Sequence, residues 1–139
     1  MNKIQSHSTS NPAQASQWAS LEAISGSQEI MFKMKEAFKE RRKLLVDGLN
    51  ALSGITCINP KGAFYAFPNI SSTFGKKAAS GTITNDLEFC EFFLKEQNVA
   101  CVPGSGFGAK QFIRLSYATS IENIEEALKR LDMFLKSLQ

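Results

Sequence analysis

The sequence predicts an α+β fold: a small, mostly antiparallel sheet covered by helices, with a long helix near the N-terminus. Three observations carry this expectation. An unbroken helical pattern occupies residues 28–52, short apolar segments bounded by Gly and Pro follow it, and an amphipathic helix closes the chain.

The first dozen residues are polar, with Ser6, Ser8, Thr9, Ser10 and Asn11 ahead of Pro12, and predict a loop. A helix is expected from Pro12 to Ile24, where Ala15, Trp18, Ala19 and Leu21 recur at near-helical spacing; "SGSQ" at 25–28 ends it. Over 28–52, Ile30, Met34, Ala37, Phe38, Leu44, Leu45, Leu49 and Leu52 fall mainly three and four apart, with charged residues on the remaining face. Such a helix is roughly 37 Å long at 1.5 Å per residue, enough to bridge two bodies. Gly54 is its stop.

"ITCI" at 55–58, the turn "NPKG" and "AFYAF" at 63–67 predict an antiparallel hairpin. The small, polar and aperiodic stretch 71–85 predicts an exposed, mobile loop. Asn85 followed by Glu88 marks the start of a helix reaching Gln97. "VACV" at 99–102 and "QFIRLSYA" at 111–118 are the last two strands, joined by the loop "PGSGFGAK". Ser120 caps a final helix with Ile124, Leu128, Leu131 and Leu135 in one stripe.

Composition bounds the function. With 139 residues, 43% hydrophobic and 21% charged, the chain suits one globular core. The net charge of +3 is slight and its cations are interspersed with acids, so nucleic acid is not an expected partner. No apolar run approaches the roughly 18 residues of a membrane span, and the N-terminus lacks the apolar core of a signal peptide. Cys57, Cys90 and Cys101 show no Cys-x-x-Cys spacing, which suggests reduced thiols filling the core in a cytoplasmic-type compartment.

Catalytic constellations are scarce. His7 is the single histidine, without companions for a metal site. "GSGFG" at 104–108 lacks the Gly-Lys-Ser/Thr ending of a phosphate loop and lies between strands. The residue that raises a question is Arg114, in the middle of the apolar strand "QFIRLSYATS". Alternation sets Phe112, Arg114 and Ser116 on one face and Ile113, Leu115 and Tyr117 on the other. A guanidinium keeps its charge near neutral pH, and burying it unpaired is costly. It either snorkels to water, pairs with a local acid, or offers its planar fork to the carboxylate of a ligand.

Four stretches occur in a recognisable order: "IQSHSTSNP" at 4–12, "PKGAFYAF" at 60–67, "VPGSGFG" at 102–108 and "IRLSYATS" at 113–120. With the long helix between the first two, the chain resembles the C-terminal part of class I pyridoxal-phosphate aminotransferases, of the bacterial aspartate aminotransferase group. The resemblance implies that Arg114 binds the substrate α-carboxylate and that Phe64 lines the mouth of the site. It places the 103–108 loop near the entrance, and Ser8, Thr9 and Asn11 in a segment near a subunit interface, with no catalytic role. It further implies that residues 1–27 belong to the end of a large domain and 28–139 to the small domain, including the interdomain helix, of a fold type I enzyme.

The departures follow from the same comparison. The Schiff-base lysine of such enzymes stands well before the "QSHSTSNP" stretch; Lys3 is too close to it and in the wrong context. No catalytic, cofactor-binding or metal residue is therefore expected in this chain. The implied parent is a cytoplasmic homodimer that uses pyridoxal 5'-phosphate to transfer an amino group between an amino acid and a 2-oxo acid. The chain alone, without its large domain, is expected to be inactive and to bind no cofactor. Two alternatives stay open: a related class I enzyme for prephenate, alanine or an aromatic amino acid, and a standalone module binding a carboxylate or a protein.

Overall fold

The computed structural model describes residues 2–139. Among the described residues there are five helices: α1 (Asn2–Ser8), α2 (Gln14–Ser25), α3 (Glu29–Ala51), α4 (Asp86–Gln97) and α5 (Ile121–Ser137). The strands are β1 (Tyr65–Ala66), β2 (Lys77–Ala78), β3 (Gly81–Thr82), β4 (Val102–Pro103) and β5 (Ile113–Ser116), with 3₁₀ turns at Ser71–Thr73 and Gly104–Phe107. The chain divides into a unit ending at Lys35 and a unit of Glu36–Gln139, the division falling inside α3.

In the first unit, the expected entry loop is instead the helix α1. Its serines, and Thr9 just beyond it, do not oppose the helix, because their hydroxyls turn back onto it. Ser8 Oγ donates to the Ile4 carbonyl at 3.0 Å and Thr9 Oγ1 to that of Gln5 at 2.9 Å. α2 follows as predicted and ends at Gly26, whose N–H donates to the Glu22 carbonyl. Large apolar side chains of this unit, among them Trp18, Leu21, Ile24 and Ile30, are exposed.

In the second unit, Leu45, Val46 and Leu49 of α3 are buried, and Gly54 turns the chain with φ 79° just beyond the helix. Gly48 lets Leu128 of α5 approach the α3 backbone, since a Cβ there would collide with the Leu128 side chain. The core collects Phe89 and Phe93 from α4, Ile124, Leu131 and Phe134 from α5, and Ile113 and Tyr117 from the last extended segment. Phe134 meets Phe89 edge-on at 5.4 Å and Phe93 at 5.3 Å between ring centroids.

The three-stranded sheet has the order β1-β5-β4 and is antiparallel throughout; β2 and β3 form a separate antiparallel pair. This is the expected α+β arrangement, but one strand pairing is corrected. Residues 55–58 do not pair with 63–67. Tyr65 and Ala66 pair instead with Ser116 and Leu115, and that register continues to a bridge between Asn69 and Phe112. The 55–58 segment is held by other groups: the Asn50 side chain brackets the Cys57 backbone at 2.8 and 2.9 Å, and Thr56 bridges Asn69. A side-chain amide has replaced the partner strand.

The 71–85 stretch is also corrected. It folds into the Ser71–Thr73 turn and the β2–β3 hairpin, with Thr73, Ala78 and Ile83 buried. Two-residue strands are too short to leave an alternating pattern, so the sequence concealed them. The helix start is as expected: Asn85 Oδ1 accepts from the Glu88 N–H at 3.0 Å. The Glu88 carboxylate reaches past Asn85 to Thr84, whose hydroxyl and then N–H hold its pKa below the usual carboxylate range. Ser120 caps α5 through the Asn123 N–H. No helix among the described residues is long and apolar enough to cross a membrane.

Candidate functional site

Arg114 lies on the central strand β5, opposite Val102 of β4. The pleat sorts its neighbours as the alternation predicts. Ile113 and Tyr117 point into the core, while Arg114 is partly buried on the other face. Because antiparallel partners share a face, the 65–69 segment contributes Tyr65 and Phe67 to the Arg114 side, and Phe112 joins them from β5's own approach.

The guanidinium is flanked by two rings. Its Cζ stands 4.4 Å from the Tyr65 centroid and 4.8 Å from that of Phe107. Electron-rich ring faces attract the planar cation and restrict its rotation, each such contact contributing about 0.5–1 kcal/mol where exposed and more where water is excluded. The aromatic wall continues through Phe67, edge-on to Phe107 at 6.1 Å and stacked on Phe112 at 5.2 Å. No ion pair among the described residues includes Arg114. Its Cζ lies over the faces of both rings, and the N–H donors of a guanidinium lie in its own plane. With no acid paired to it among the described residues, Arg114 has the charge and the donors to receive an anion.

Phe64 stands beside this set. Its ring lies 4.4 Å from Tyr65 and 6.3 Å from Phe38, and it is 41% exposed. It is not one of the rings on the guanidinium. Those two, Tyr65 and Phe107, were not singled out by the sequence reading. Period-two alternation could have suggested Tyr65 once its strand was paired with β5, but nothing local to "GSGFG" points Phe107 at Arg114.

The turn carrying Phe107 is fixed from beneath. Asp86, the first residue of α4, is 1% exposed, and its Oδ2 accepts from the Ser105 N–H at 2.6 Å. A carboxylate there also faces the positive end of the helix. Gly104 sits so close to the Ala109 and Phe112 carbonyls that no Cβ fits, and Gly108 closes the turn with φ 75°. Removing the acceptor leaves a part-buried N–H unpaired, which costs at most about 1–3 kcal/mol. Asp86→Ala is accordingly expected to lower unfolding stability by that amount in urea denaturation. Asp86→Asn, which keeps an acceptor, should lose less; equal losses would show that the hydrogen bond is not the cause.

The remaining candidates lie elsewhere. His7, Ser8, Thr9 and Asn11 are exposed residues of the first unit. Among the described residues no group of His, Cys, Asp and Glu is arranged to hold a metal ion. Cys57 is buried, and that burial pushes its thiol pKa up.

The family model for aminotransferase class I and II matches residues 1–131. An aspartate/prephenate aminotransferase of Cereibacter sphaeroides is 48% identical over 139 residues, covering 99% of this chain and 35% of that protein. An aspartate aminotransferase of Bacillus sp. YM-2 is 46% identical, covering 98% and 34% respectively. Among solved structures, the aspartate aminotransferase of Rhizobium meliloti superposes with a TM-score of 0.91 at 43% identity, over 98% of this chain and 34% of that one. The chain thus spans about a third of the length of the relatives it matches.

Proposed function

The chain belongs to the class I and II aminotransferases, and from that membership we propose that it is the C-terminal substrate-binding part of an aspartate aminotransferase-like enzyme. The observation that carries the proposal is Arg114, a cation with no acid partner among the described residues, held by two rings. A bidentate grip on an α-carboxylate suits its guanidinium. Holding the acid end of an amino acid sets the direction of its Cα–H bond, which is the contribution of position to the rate. Phe64 lines the approach in this reading. The 1–27 segment belongs to a large domain of the same polypeptide, and 28–139 to the small domain.

The cofactor of the family is pyridoxal phosphate. Among the described residues, the groups set against Arg114 are the aromatic rings of Tyr65 and Phe107, which supply neither an amine for a Schiff base nor a phosphate cradle, so these residues by themselves do not fit the cofactor. The proposed role of the chain is substrate binding and orientation, in a cytoplasmic homodimer, and by itself it is expected to be inactive. Aspartate is the proposed amino donor, supported by the names of the relatives. Assaying the full-length protein with aspartate, prephenate, alanine and aromatic partners tests this. Failure to transfer an amino group from any of them would overturn the proposal; preference for another donor would revise only the substrate.

Phe107 offers a finer test. Phe107→Leu keeps an apolar side chain at a position that is 54% exposed, but removes the ring from the guanidinium. A loss of about 0.7–1.4 kcal/mol, roughly three- to tenfold in kcat/KM, is expected for every amino-acid substrate alike. A loss confined to one donor would mean that Phe107 contacts the substrate side chain instead.

A further inference from the structure

Cys90 and Cys101 are eleven positions apart in sequence, yet their sulfurs lie 3.2 Å from one another. Cys90 is on the buried face of α4, and Cys101 is in the partly exposed segment entering β4. Neither has a part in substrate binding as described above. Closing a disulfide requires the sulfurs to approach to about 2.0 Å, a movement of roughly an ångström. We propose that Cys90 and Cys101 form an oxidisable dithiol that closes to an intramolecular disulfide under a peroxide, with Cys57 as a spectator.

The chemistry balances as two successive displacements. One thiol, as its thiolate, attacks hydrogen peroxide; an S–O bond forms, the O–O bond breaks, and the hydroxide that leaves takes up the thiol proton as water. The second sulfur then attacks the sulfenic acid, forming the S–S bond as the S–O bond breaks and a second water departs. Two thiols lose two electrons and the peroxide gains them. The Cys101 thiol lies well above its ordinary pKa, first because it hydrogen-bonds the Cys90 sulfur and then because it is buried. Its thiolate is therefore scarce, and the reaction is slow beside that of an exposed cysteine. Cys57 has no second sulfur; its thiol points to the Ile58 carbonyl at 3.6 Å.

The link would reach the neighbourhood of Arg114. Cys101 immediately precedes Val102, the residue opposite Arg114, and α4 also supplies the Asp86 that holds the turn bearing Phe107. A covalent tie between α4 and β4 would restrict both supports of that turn. This inference stands independently of the proposed function.

The test is to treat the native protein with excess hydrogen peroxide, block residual thiols, denature, and count. Three thiols should fall to one, with the intact mass lower by two hydrogens and a proteolytic peptide joining Cys90 to Cys101. A thiol reductant should restore all three. Cys57→Ser should still lose its two remaining thiols, whereas Cys90→Ser and Cys101→Ser should each form no intramolecular link. The oxidised protein should melt higher, on the order of 5–10 °C, because a cross-link restricts the unfolded chain. Three surviving thiols, a link through Cys57 or between molecules, or further oxidation of Cys101 beside a free Cys90 would each overturn the proposal.

Discussion

Arg114→Leu, introduced into the full-length protein, is expected to lower kcat/KM for every amino-acid substrate by about 30- to 5,000-fold. The range corresponds to losing a charge-assisted pair worth ~2–5 kcal/mol in a partly dehydrated site. The structure gives reasons to expect the upper part of it. No acid among the described residues neutralises the guanidinium, and Tyr65 and Phe107 hold it at 4.4 and 4.8 Å, so little reorganisation precedes binding. Leucine is compatible with a β-strand, which keeps the fold as the control. Arg114→Lys should recover only part of the loss, because an ammonium is a point charge and cannot present two parallel N–H donors. Steady-state kinetics over several donors decides the matter. Near-normal kcat/KM for Arg114→Leu would remove the carboxylate-binding role altogether.

Phe134→Ala should produce the largest loss of stability, about 3–5 kcal/mol, and lower the melting temperature by roughly 10–20 °C. Phe134 is fully buried at 0% exposure and touches both Phe89 and Phe93 of α4, so it is the ring through which α5 is packed on α4. Truncation removes its contacts and leaves a cavity between two helices whose ends are set by their own caps and cannot simply slide together. Phe134→Leu, which fills much of that space, should cost well under half as much. Urea and thermal unfolding of both variants measure the difference. A loss below about 1 kcal/mol for the alanine variant would mean that the α4–α5 interface collapses freely.

Legibility of the fold followed the range of the forces involved. α2, α3, α4 and α5 were readable because a helix writes its own period, its cap and its stop into neighbouring residues, as Asn85 and Ser120 do. The errors came where the partner is remote. Residues 55–58 look like half a hairpin, yet their backbone is satisfied by the Asn50 side chain, which no pattern within the segment announces. The β2–β3 pair was invisible for the opposite reason: two residues per strand give no alternation at all. α1 was obscured by serines and threonine whose hydroxyls bond back onto the helix that they were expected to break.

The sequence by itself determined that Arg114 is an anomaly, since a permanently charged residue inside an apolar strand requires a compensating group, and the alternation around it decided which face it shares. It also determined the helices α2 to α5, whose signals lie within a few residues. Only the tertiary structure decided that the compensation among the described residues is two aromatic rings and no acid. That outcome depends on β5 pairing with the 65–69 segment and on Asp86 holding the Ser105 N–H, contacts between residues 19 to 51 positions apart. Local propensity carries no information at that range; it is set by how the strands pair and the helices pack.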